Sequence, residues 1–162
     1  MSDAGIAVVV VAYDSEETLD ECLSRLRAAQ DVEEIRVVDN ASRDASIDLV
    51  QRHALADPRL RFIANPDNPG FAVACNQGAA ASTAPWLAFV NPDCFIEADT
   101  LARLRGAALT LGDALVGGVL RGEDGALDAA ARRRDPDFAA MLRSRGAREL
   151  SIQRDPARPL QQ

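Results

Sequence analysis

The chain has 162 residues, 48% of them apolar, which suits a folded domain with its own core and excludes a disordered polymer. Its net charge of −7 argues against a nucleic-acid partner. All 18 basic residues are Arg, so chemistry that requires Lys is excluded. The three cysteines, Cys22, Cys75 and Cys94, have neither metal-ligand spacing nor an even count. They read as small buried apolar residues in a reducing compartment. "MSDAG" lacks the basic n-region of a leader, and no early apolar run is long enough to span a bilayer. A cytoplasmic protein is expected, at most peripheral at the inner face of a bacterial membrane.

In chain order, "IAVVVVA" at 6–12 is a continuous Val-rich run, the pattern of a strand buried on both faces. Ser15 reads as an N-cap, with Glu16 and Glu17 in the first turn. Leu19, Cys22, Leu23 and Leu26 then mark one helical face. "EIRVV" at 34–38 is a second strand. A helix follows over 44–55, with Ile47, Val50 and Ala54 facing inward. "LRFIA" at 60–64 is a third strand, and a Pro- and Asn-rich loop leads to an Ala-rich helix over 71–81. "WLAFV" at 86–90 is a fourth strand, 99–111 a helix, and "ALVGGVL" at 114–120 a fifth strand. This β-α alternation predicts an α/β fold, a mostly parallel sheet with helices on both faces. The expected organisation is an α/β domain over 1–120, a partial continuation with one helix over 121–150, and a disordered tail over 151–162. "RGEDGAL", from 121 to 127, reads as a turn.

Ligands of open α/β sheets bind beyond the carboxyl ends of the strands. The four strands end in Tyr13-Asp14, Asp39-Asn40, Asn65 and Asn91-Pro92-Asp93. Turn chemistry accounts for an Asp or Asn at any one of these ends. All four together mark one polar edge. Pro92 disfavours helix at Asn91, and in extended backbone residues two apart face the same side. Asn91 and Asp93 are therefore expected to face one ligand. An acidic oxygen donor there suits Mg²⁺ or Mn²⁺, with water and ligand phosphates completing the shell. Such a metal lets an acidic protein hold an anion. No Walker loop and no G-x-G-x-x-G follow the first strand. Response-regulator receivers also carry acidic clusters, but they use a Lys this chain lacks.

"VVVVAYDSEETLDECLSRL", "VVDNASRDASIDLV", "NPDNPGFAVACNQGAAAS" and "WLAFVNPD" together resemble family-two glycosyltransferases of the GT-A fold, nearest the bacterial rhamnosyltransferase-like branch. The resemblance runs from about 6 to about 105 and covers the donor-binding half. It implies that Ala12, Tyr13 and Asp14 line the base and ribose of a nucleotide-diphosphate sugar. Asp14 stands where the family commonly has Asn. Asp39 would accept a hydrogen bond from the base, favouring a UDP- or dTDP-sugar. Asn68, Gly70 and Asn76 belong to the segment under the donor. Asn91 would lie near the ribose or the metal's hydration shell, and Asp93 would be the metal ligand. The implied reaction is inverting transfer to an envelope polysaccharide or glycolipid acceptor.

In the family a second half supplies the acceptor pocket and a carboxylate base. "GEDGALDAAARRR" resembles the stretch just after the central sheet, not the base segment, so no catalytic residue is assigned. The alternative is a non-catalytic nucleotide-sugar-binding module or a truncated remnant lacking the acceptor half and the base; an active chain would need a homo-oligomer or a partner to supply the acceptor half. A third reading is an α/β interaction domain whose strand-end Asp and Asn residues are only turns. Arg132–Arg134 read as a solvated face, His53 as an exposed or helix-end residue, and Trp86, Phe71 and Phe95 as core.

Overall fold

The computed structural model describes residues 5–112, 115–122 and 124–127. Two compact units are present, Met1–Val116 and Gly117–Gln162. The first contains β1 (Ile6–Ala12), α1 (Glu16–Ala28), β2 (Val32–Asp39), α2 (Ser46–Ala56), β3 (Leu60–Ala64), α3 (Phe71–Ala80), β4 (Trp86–Phe89) and α4 (Thr100–Leu111). The strands are parallel and ordered β3-β2-β1-β4. All seven residues of β1 are buried, as its unbroken apolar run requires for a strand flanked on both edges and covered on both faces.

Strand alternation divides the core. Ile6, Val8, Val10 and Ala12 pack with Leu19, Cys22, Leu23 and Leu26 of α1, Leu49 and Val50 of α2, and Leu101 of α4. Each fully buried Leu there contributes about 1.5–3 kcal/mol relative to exposure. On the other face Val11 and Val38 meet Ala74 of α3. Gly78 brings α3 down onto β1, because a Cβ at that position would stand 2.4 Å from Val9 Cγ1.

The buried stripe of α2 is Ser46, Leu49, Val50 and His53, instead of Ile47, Val50 and Ala54. Polar partners make this possible. Ser46 Oγ accepts from the Ser15 N–H at 2.8 Å. His53 sits in the last helical turn as expected, but is only 6% exposed. Arg27 Nη1 donates to its Nδ1 at 3.2 Å, which leaves Nε2–H to donate to Asp20 Oδ1 at 3.0 Å. Beside it Asp57 receives Arg59 through Nε and Nη2, at 3.0 and 2.7 Å. Arg59 also donates to the carbonyls of Val32 and Arg27, tying the β3 entrance to α1 and β2.

Residues 115–120 form no strand, against the expected fifth strand. Gly117 and Gly118 leave the centre of that run without side chains to pack. In the second unit the expected turn is present. Arg121 and Leu127 form an antiparallel bridge, closed by Gly122 N–H to the Ala126 carbonyl at 2.9 Å. The helix expected after it, Arg132–Arg134 and the tail lie outside the described residues. Among the described residues no helix is long and apolar enough to cross a membrane.

Gly78→Ala is expected to destabilise the chain by about 1–2 kcal/mol, because overpacking against the stiff Val9 outweighs the gain in helix propensity. Combining it with Val9→Ala should recover part of that loss in thermal melts, whereas strict additivity would place the strain elsewhere.

The hydrogen bonds from Arg59 hold the Asp57 carboxyl at about 2, below its ordinary 3.8. A carboxyl lowered on folding stabilises the fold above its unfolded value. That contribution, on the order of 2 kcal/mol, should fade as the pH falls from about 4 towards 2. Denaturant titrations of Asp57→Asn should show lower stability at neutral pH and a shallower decline over that window.

Candidate functional site

β1 feeds β2 on one side, yet its other neighbour is β4, so the strand order reverses between β1 and β4. Loops leaving the carboxyl ends of two such strands diverge and leave a crevice. An open cleft of about 550 Å³ lies there. Its walls are Tyr13 to Thr18 after β1, Asn40 and Asp44 after β2, Asn68 and Phe71 before and at the start of α3, and Asn91 to Asp93 after β4. Of the residues singled out in the sequence, Tyr13, Asp14, Asn68, Asn91 and Asp93 line it. Ala12, Asp39, Gly70 and Asn76 do not. Ala12 is fully buried and its carbonyl accepts the Asn40 N–H at 2.9 Å. Asn76 is exposed on α3.

The loops after β1 and β2 are laced together. The Asp14 N–H donates to Ser42 Oγ at 3.0 Å, and Asp14 Oδ1 accepts the Arg43 N–H at 2.7 Å. The Glu16 N–H donates to Asp44 Oδ2 at 2.9 Å, and Glu16 Oε2 accepts the Ala45 N–H at 2.8 Å. Ser15 precedes α1, but its hydroxyl turns back to the Tyr13 carbonyl at 3.0 Å and makes no cap bond to the helix. Asp44, on the loop after β2, caps the helix instead. Asp14 and Ala41 have left-handed backbones, φ 45° and 62°. Asp and Asn tolerate that conformation; Ala does so at a cost. Asp39, only 3% exposed, holds the strained corner at Ala41. Its Oδ2 accepts the Ser42 N–H at 3.0 Å and its Oδ1 the Ser42 hydroxyl at 2.5 Å.

These bonds sort the acids. Among the described residues five carboxylates line the cleft, Asp14, Glu16, Glu17, Asp44 and Asp93, and no Arg or His does. Asp14, Glu16 and Asp44 each hold a backbone N–H. Burial raises the Asp44 carboxyl, but hydrogen bonds from Ser46 and Glu16 outweigh it and hold the group below the usual carboxylate range. Among the described residues nothing donates to Asp93 or to Glu17, the one on the turn after β4 and the other in the first turn of α1. No group of three His, Cys, Asp or Glu among them could hold a metal unaided.

Asn91 to Cys94 form a turn closed by the Cys94 N–H on the Asn91 carbonyl at 3.0 Å, with Pro92 at its second position. This replaces the extended segment expected there, yet Asn91 and Asp93 still line one cleft. Cys22 supports the turn from α1, its Sγ donating to the same carbonyl at 3.6 Å. Burial, then Cys94 and Asp93 nearby, push that thiol up to about 12, so it remains a donor. Burial also raises the Cys75 and Cys94 thiols, and all three cysteines are free.

Several features were not legible in the sequence. Glu17 lines the cleft, though its place in a first helical turn reads as dipole compensation. Phe71, 58% exposed, forms cleft wall instead of core. Phe95, 44% exposed, lies under the Arg25 guanidinium, 5.6 Å from its ring centre. Asn40, only 2% exposed, joins Asn65, Gln77 and Asn68 in a row of amides below the cleft. Asn40 and Asn65 are visible as strand ends, but Gln77 carries no such signal.

Known proteins share this architecture. A mannosyltransferase of Pyrobaculum calidifontis, solved with GDP-Man and Mn²⁺, superposes with a TM-score of 0.59 at 25% identity, over 64% of this chain and 32% of its own. EpsH of Bacillus subtilis is 32% identical over 100 residues, 61% of this chain and 29% of that relative. The succinoglycan biosynthesis protein ExoO of Rhizobium meliloti is 36% identical over 100 residues, 61% of this chain and 28% of that relative. The chain thus spans under a third of the length of these two curated relatives. The sheet and its helices have the GT-A arrangement of glycosyltransferases. The family described as glycosyl transferase family 2 matches residues 7–157, most of the sequence, and the chain belongs to that family.

Proposed function

We propose that the cleft binds the diphosphate of a nucleotide sugar through a divalent cation held by Asp93, and that the chain is the donor-binding half of an inverting glycosyltransferase of the rhamnosyltransferase-like branch. The observation that carries this reading is the charge of the cleft, whose lining among the described residues has five carboxylates and no basic side chain. A diphosphate entering such a site needs a cation between itself and the protein. Asp93 suits Mg²⁺ or Mn²⁺, being an exposed hard oxygen donor without a competing hydrogen bond, and such ions commonly take one or two carboxylates plus phosphate and water. When bound, the ion would stabilise the diphosphate as it leaves.

The chain's own residues supply position. Tyr13 and Asp14 would flank the base and ribose, with Ala12 behind them, and Asn91 would face the ribose from the opposite wall. Gly70 and Asn76 would shape the segment beneath. Asp39 would accept from the base, since each carboxylate oxygen has a lone pair left beyond its bond to Ser42. That favours the N3–H of uracil or thymine over cytosine, whose N3 is an acceptor. The acceptor would be an envelope polysaccharide or glycolipid, met at the inner face of the membrane.

Calorimetric titration of UDP, dTDP, CDP and GDP into the chain, with and without Mn²⁺, tests the reading. UDP or dTDP should bind only with the metal, CDP should not bind, and Asp93→Ala should weaken binding by roughly tenfold or more. GDP binding in place of UDP would move the base assignment to guanine, whose N1–H is also a donor. No metal-dependent binding of any of the four would refute the site. Binding without sugar transfer to any acceptor would assign a non-catalytic module.

Asp93→Ala should leave the melting temperature nearly unchanged, because among the described residues its carboxylate accepts no hydrogen bond and forms no ion pair. Asp44→Ala should cost about 1–2 kcal/mol through the lost cap on the Glu16 N–H. Equal losses in the two variants would show Asp93 to be structural.

A further inference from the structure

The amides below the cleft form one oriented chain. The Gly70 N–H donates to Asn68 Oδ1 at 3.0 Å. A backbone N–H can only donate, so the Asn68 atom it meets is the oxygen. Asn40 Nδ2 donates to that same oxygen at 3.3 Å, which places Asn40 Oδ1 on the far side. There it accepts from Asn65 Nδ2 at 2.9 Å. Asn65 Nδ2 also donates to Gln77 Oε1 at 2.9 Å, and Gln77 Nε2 returns a bond to Asn65 Oδ1 at 3.0 Å. Turning any one amide over would set oxygen against oxygen or nitrogen against nitrogen at its neighbour. The polarity therefore runs from one backbone N–H to Gln77, on α3 and outside the cleft lining. Asn68 Oδ1 has both lone pairs occupied, while its Nδ2 donates to nothing among the described residues and the residue lines the cleft.

We propose that this row is a polarity relay that makes Asn68 a fixed hydrogen-bond donor, so that the cleft selects an oxygen acceptor on its ligand at that point: a base carbonyl, a ribose oxygen or a phosphoryl oxygen. Asn40, Asn65 and Gln77 are positioning residues for it. The ligand side of this assignment rests on the nucleotide reading above; the relay itself does not.

Asn40→Asp tests the relay at the bond through which it acts on Asn68. The ionised carboxylate still accepts from Asn65 but cannot donate to Asn68 Oδ1; it attracts Asn68 Nδ2 instead, and a charge-assisted bond outweighs the neutral one from Gly70, so Asn68 turns its oxygen to the cleft. Protonated, the carboxyl donates as Asn40 does and restores the wild-type orientation. In ¹⁵N–¹H spectra of the ligand-free chain, Asn40→Asp should shift the Asn68 side-chain amide signals at pH 8 and return them towards wild type at lower pH. Asn40→Leu, which removes the bond without imposing a polarity, should show no such pH dependence. In titrations with UDP and Mn²⁺, Asn40→Asp relative to wild type should bind about tenfold more weakly at pH 8, with the deficit shrinking at lower pH. Uridine alone and pyrophosphate with Mn²⁺ identify the acceptor, because the deficit follows whichever fragment meets Asn68. Asn68 signals that ignore Asn40→Asp in a folded protein would overturn the relay. A relay present in the spectra with wild-type UDP affinity in Asn40→Asp would overturn the donor role alone. Absence of binding of any of the four nucleoside diphosphates by wild type would remove the nucleotide reading and leave the spectroscopic result standing.

Discussion

The cleft depends on the hydrogen bonds that lace the loop after β1 to the loop after β2. Neither loop is regular, and each carries backbone N–H groups that its own segment leaves unsatisfied. Each supplies acceptors to the other: Asp44 to Glu16, Glu16 to Ala45, Asp14 to Arg43, Ser42 to Asp14 and Ser46 to Ser15. Buried Asp39 braces the corner through Ser42 and holds Ala41 in a conformation alanine otherwise avoids. The two strands are adjacent and parallel, so their ends arrive together and the lacing has a fixed span.

This mutual capping has a chemical consequence. Acids at the start of a helix commonly read as dipole partners or as ligand contacts, and residue type does not separate the two. Here Glu16 and Asp44 are committed to backbone, and Asp93, on the far side of the switch point, is not. The cleft is strongly acidic, yet its acids are unequal. An acidic cleft that takes an anion must take a cation with it, and Asp93 at the turn after β4 is the carboxylate proposed above for that contact.

The opposite wall is governed by amides instead of carboxylates. Amide side chains carry both donor and acceptor, so a row of them has a direction, and a single backbone N–H at Gly70 sets it. The φ of 95° at Gly70, accessible to glycine, turns the chain into α3 directly after that N–H. A single backbone N–H thereby fixes which end of the Asn68 amide is engaged within the fold.

The elements themselves were legible from the sequence. The unbroken Val run of β1, the i, i+3, i+4, i+7 stripe of α1 and the Asp or Asn at each strand end are local patterns, and local patterns survive folding when burial agrees with them. Reading failed where a partner distant in sequence changed the balance. Ser46 and His53 enter the buried stripe of α2 because Ser15, Arg27 and Asp20 satisfy them. The run after α4 does not become a strand, because apolar composition alone does not offset two central glycines. Phe71 sits on the cleft wall because α3 begins there. The sequence by itself determined the β-α order, the parallel sheet and the polar edge, since periodicity and strand-end chemistry are written within a few residues. Only the tertiary structure decided which carboxylates stay free and which way each amide faces. Those depend on hydrogen bonds between residues far apart in the chain, whose meeting is set by strand order and register.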